Sequence, residues 1–160
     1  MIILFLAATA ALNAQDAPAW GSVYGPGNIV PGIGLAIEEE NGLVMALKPS
    51  VECIVWKPVI GNVAPLDFGL SAMGRVALPL SGAGFQLGLG AGGTVHVGFR
   101  GFDFPGSRYL DKVDLFARFG IGWAFTPSDG PGLVGYSSSG LDYHLSERLF
   151  LGLAYSQWGY

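Results

Sequence analysis

A chain of 160 residues is long enough to close one small sheet and too short for a barrel plus a second folded unit. Charged residues make up only 12%, roughly half the usual share in soluble domains, and the mean hydropathy is +0.46 with 26 glycines, a poor recipe for a water-facing surface. The net charge of −4 and the isoelectric point near 4.9 exclude a nucleic-acid partner, which demands a basic stripe against the phosphates.

The chain opens on an apolar run from Ile2 to Leu12, followed by Asn13, Ala14, Gln15 and Asp16. This pattern predicts a signal peptide over residues 1–14, cut after Ala14, and a mature domain over 15–160. The run is too short to cross a bilayer as a helix. Cys53 is the sole cysteine, so the exported chain has no intrachain disulfide and no cysteine near the cut to receive a lipid.

Beyond the leader, period-two alternation predicts strands in sequence. Trp20 to Tyr24 is a weak candidate, and residues 32–38 and 43–56 follow, joined through Asn41-Gly42, a dipeptide suited to a tight hairpin. Pro49 suggests a bulge in the second of these. Residues 66–78 set Phe68, Leu70, Ala72, Val76 and Leu78 against Asp67, Ser71, Met73 and Arg75. The clearest strand is 85–100, in which Phe85, Leu87, Leu89, Val95, Val97 and Phe99 oppose Gln86, Gly88, Gly90, Thr94, His96 and Arg100. Residues 113–125 repeat the pattern, and 133–145 and 149–157 complete it. The expected fold is all-β, an antiparallel up-and-down barrel of eight strands.

Alternation leaves open which row faces inward, because a soluble barrel keeps its apolar row inside and a transmembrane barrel keeps it outside. Charge placement decides between them. No charged residue falls in any apolar row, and the opposite rows are rich in Gly, Ala and Ser, which suit a crowded interior better than a wet exterior. Phe85 and Phe99 lie on one face roughly 35 Å apart along the membrane normal, at ~3.3 Å per residue and a tilt near 40°, which places them near two interfacial belts. Short connections at 39–42 and 79–84 contrast with longer ones at 57–65 and 101–112, as in barrels whose short turns face the periplasm.

These alternating strands and the aromatic end through Tyr155, Trp158 and Tyr160 resemble the small eight-stranded outer-membrane barrels of the OmpA, OmpX and OmpW type. The resemblance covers most of the mature chain. It implies a bacterial outer-membrane location, contact with outer-membrane lipid, and a role for Trp158 and Tyr160 as a signal read by the barrel assembly machinery. Trp158 and Tyr160 share the parity of Phe150, so a lipid-facing aromatic end requires a bulge near Gln157 or Gly159.

On the polar rows, Lys48, Glu52, Asp67, Arg75, His96, Asp114, Arg118, Asp142 and His144 are expected to face the lumen. Small barrels are filled by side chains, so such charges must pair to offset desolvation, and Asp67, Arg75, Asp114 and Arg118 are expected to form a paired plug. The leading expectation is therefore a structural or surface-interaction barrel, with Phe102, Phe104, Arg108 and Tyr109 in a loop able to meet an extracellular or envelope partner. The alternative is a narrow channel or conduit for ions or small apolar molecules, as OmpW-like barrels would allow. A more distant one is an esterase, since His144-Leu145-Ser146 resembles the His-x-Ser spacing of lipid A deacylases, although no carboxylate follows Glu147 to orient the histidine. Two isolated histidines make no metal site, and strand glycines make no phosphate cradle, so neither metal nor cofactor is expected.

Overall fold

The computed structural model describes residues 27–39, 43–57, 59–60, 64–81, 84–99, 107–146 and 149–159. The predicted leader, Trp20 to Tyr24, the Asn41-Gly42 turn, Phe102, Phe104 and Tyr160 lie outside the described residues.

Seven long strands form one curled antiparallel sheet with up-and-down connections: β1 (Ile29–Glu39), β2 (Leu43–Trp56), β4 (Ala64–Ser81), β5 (Gln86–Gly98), β6 (Val113–Thr126), β7 (Gly130–Ser146) and β8 (Leu149–Gly159). A two-residue strand, β3 (Val59–Ile60), pairs with the start of β4, and a single helical turn, α1 (Ser107–Leu110), lies between β5 and β6. Every long strand pairs with its chain neighbour, the simplest outcome when each hairpin closes locally before distant segments meet.

The registers place the two rows of each strand on opposite faces. Leu70 on β4 stands beside Gly93 on β5 and hence Phe119 on β6, while two residues along Ala72, Ala91 and Ile121 align, and all turn outward. The convex face is largely apolar, with Leu70 62%, Ile121 67% and Leu133 69% exposed and Ser137, Ser139 and Gln157 its polar positions. Among the described side chains of the long strands, all seven Asp, Glu, Lys and Arg residues turn to the concave face.

Pro49 produces no bulge. Leu47 pairs with Val76 and Ser50 with Met73, so the register runs through the proline unshifted. Gly74, opposite it, has no side chain in the way, since a Cβ there would stand 3.0 Å from Pro49 Cγ. The shifts in this pair of strands fall instead between Leu43 and Val44 and between Ile54 and Trp56. No bulge near Gln157 or Gly159 turns the aromatic end outward, because β7 and β8 stay in register from His144–Phe150 to Gly135–Gly159. Trp158 therefore keeps the inward parity of Phe150.

Candidate functional site

The concave face is layered. At the hairpin end, Met73, Ala124, Val134, Tyr136 and Trp158 form a buried apolar cluster beside a second one of Ala36, Val44, Ala46 and Ala77. The Tyr136 and Trp158 rings stack with centroids 5.4 Å apart. Glycine makes this possible: a Cβ at Gly90 would stand 2.6 Å from Tyr136 Cε1, one at Gly120 2.7 Å from it, and one at Gly88 3.0 Å from Trp158 Cζ3. The glycines of β5 and β6 are thus the floor on which two large rings lie. At the opposite end, Val30, Ile54 and Phe150 form a smaller cluster.

Ionisable residues occupy the space between these layers. Lys48, Glu52, Asp67, Arg75, His96, Asp114, Asp142 and His144 are buried, and Arg118 retains 16% side-chain exposure. Glu52 is the hub. One carboxylate oxygen meets His96 Nε2 at 2.6 Å, and the other accepts from Arg118 Nε at 3.2 Å with Nη2 also 3.2 Å away. These contacts reach from β2 across β4 to β5 and β6, so they tie together strands that share no ladder. The Arg118 guanidinium lies 4.3 Å above the Phe116 ring, which adds a cation–π attraction. Arg118 thus pairs with Glu52 and not with Asp67 or Asp114, a correction to the expected plug. Periodicity assigns a face but cannot tell which opposite charge lies across a curved lumen.

The remaining predicted charges have other partners. His144 Nε2 meets Asp114 Oδ2 at 2.9 Å, Arg75 donates to Gln86 Oε1, and Asp67 faces Lys57 Nζ at 3.5 Å. Asp114 is the carboxylate that orients His144, and it comes from the neighbouring strand instead of the downstream segment. The side chain of Ser146 lies outside the described set. Sequence reasoning missed Gln86 and Lys57 as partners, and missed Tyr136. The signal for Tyr136 was present as the glycine run 88, 90, 120 and 122 on one face, which leaves a large void unless rings fill it.

Of the predicted loop residues, Tyr109 is exposed on α1, and the Arg108 side chain is outside the described set. Among the described residues no group of three or more His, Cys, Asp or Glu is placed to hold a metal ion. Comparison with protein-family models, with curated proteins and with solved structures finds no match.

Proposed function

We propose that the protein is a small bacterial outer-membrane β-barrel whose filled lumen makes it a structural or surface-interaction scaffold. One observation carries this reading: the described convex face carries no charged side chain and is apolar apart from Ser137, Ser139 and Gln157, while the strand charges turn inward. In water that arrangement exposes a large apolar surface and desolvates ionised groups, both unfavourable. In a bilayer the same surface meets hydrocarbon, and the charges are kept from it.

Topology supports closure by an eighth strand. Seven alternating strands leave β1 and β8 running parallel, so these two cannot complete an antiparallel barrel with each other. One additional strand between them, antiparallel to both, satisfies both edges, and residues preceding Gly27 are the segment connected to take that place. The β1–β2, β4–β5 and β6–β7 hairpins and the C-terminal end of β8 then share the periplasmic side. The β2–β4 and β5–β6 connections face outward together with the short β7–β8 turn. Outer-membrane lipid and the barrel assembly machinery are the general partners on this reading, with α1 and its loop available to a surface partner. It assigns no enzymatic activity.

The test is the solvent the protein requires. Expressed with its leader, it should partition with outer membranes and, purified in detergent, give a β-rich circular dichroism spectrum. Recovery as a folded periplasmic monomer without detergent would overturn the proposal.

A further inference from the structure

The polar positions of the convex face are not scattered. Ser137 and Ser139 lie on β7 and Gln157 on β8, all exposed. The register sets Ser137 directly opposite Gln157 and Ser139 opposite Tyr155, which is exposed on the same face. Gln157 Nε2 donates to the Tyr155 hydroxyl, a bond that uses one N–H of the amide and leaves Oε1 and the other N–H outside it. The three polar side chains and this phenol therefore make one uncharged patch on one pair of strands.

The patch sits along the strands and away from their ends. β7 runs from Gly130 to Ser146, so Ser137 falls near its middle, and Ser137 also pairs with Phe119, two residues along β6 from Ile121. The inference rests on the membrane reading, in which this level is hydrocarbon. There a hydroxyl or carboxamide without a partner is costly, and such groups instead hydrogen-bond between neighbouring membrane segments.

Symmetry restricts what the partner can be. Copies inserted in one membrane share an orientation, so a twofold axis relating two of them runs along the normal. Groups near that axis meet the same patch at nearly their own depth. A charge there would face its like, whereas Ser, Tyr and Gln each both donate and accept and so complement themselves. Shape agrees with this. Gly135, Ser137 and Ser139 form a low strip along β7 between Leu133 and Leu141, and Tyr155 and Gln157 stand beside it on β8. A twofold places the longer side chains of each copy in the strip of the other, where small residues allow close approach. We propose that the convex face of β7 and β8 joins two copies of this chain within the bilayer, the Gln157 amide of each bonding the Ser137 hydroxyl of the other. The contact uses the face of β8 and not its free edge, so it does not compete with closure by an eighth strand.

Sedimentation equilibrium of the full folded protein in density-matched detergent micelles, over a series of protein-to-detergent ratios, tests it. The native chain should show a reversible monomer–dimer equilibrium. Gln157→Leu and Ser137→Leu should each weaken the dimer at least tenfold, because the twofold makes each substitution remove its contact twice. Both keep the face apolar, so the β-rich circular dichroism spectrum should persist. Leu89→Ala, at a 73% exposed position on β5 away from the patch, should change association less than twofold. A native monomer at every ratio would mean that lipid or the closing strand covers the patch, and would overturn the proposal. So would undiminished association in either leucine variant, or an equal loss in Leu89→Ala. A chain that folds without detergent sinks the membrane reading and this inference with it, while a detergent-dependent monomer sinks this inference alone.

Discussion

Placing arginine at Ile121 separates a lipid-facing convex surface from a water-facing one. Ile121 is 67% exposed, and Thr126, where β6 ends, lies five positions further on. That end is marked as a water boundary by hydrogen bonds among Thr126, Ser128 and Asp129 at 2.8–3.1 Å. Five residues at ~3.3 Å each, tilted by about 40°, span roughly 13 Å along the normal, half of an apolar band about 25 Å tall. On the proposed membrane reading Ile121 therefore sits near the midplane, where Arg costs about 2–4 kcal/mol. That is a roughly 30- to 700-fold loss in the folding equilibrium at about 1.4 kcal/mol per decade. Leu80→Arg, at the hairpin end of β4, should cost only about 0–1 kcal/mol, and Ile121→Ala gives the cost of lost packing alone. Urea titration of folding into lipid vesicles measures all three. Equal, sub-kilocalorie effects of the two arginines would refute the assignment of the convex face to hydrocarbon, because an arginine in water costs nothing comparable.

Breaking the Glu52 hub should be costly: Arg118→Met strands a buried carboxylate and should destabilise by about 3–5 kcal/mol, while a double-mutant cycle with Glu52→Gln should show coupling well above the roughly 0.5 kcal/mol scatter of independent sites. The equivalent cycle of Arg118→Met with Asp67→Asn should be close to additive, since Arg118 makes no ion pair with Asp67. Gly90→Ser should be disruptive despite its small size, because its Cβ would fall 2.6 Å from Tyr136; loss of the near-ultraviolet dichroism of the aromatic stack checks this, and a silent substitution would mean the rings lie elsewhere. In planar bilayers the native protein should be electrically silent, given the Tyr136–Trp158 layer across its hairpin end, and discrete conductance steps would favour the conduit reading.

The sequence by itself determined the strands and their two faces. Residues 85–100 show the clearest period of two, and a one-residue slip would turn the strand charges outward, so the alternation leaves one acceptable register per face. It also placed all nine lumen candidates on the concave side. What it could not determine was which of them meet. Glu52 and Arg118 are 66 positions apart, on strands that share no hydrogen bonds, and only the curl of the sheet brings them to 3.2 Å. The fate of Pro49 was equally hidden, because the glycine that accommodates it, Gly74, lies on the next strand. Tertiary structure also decided that the C-terminal aromatic Trp158 points inward, since its position depends on the stack with Tyr136 and on the Gly88 backbone beneath it. Alternation is a local consequence of backbone geometry and can be read along one strand, whereas contacts across a lumen depend on how several strands coil together.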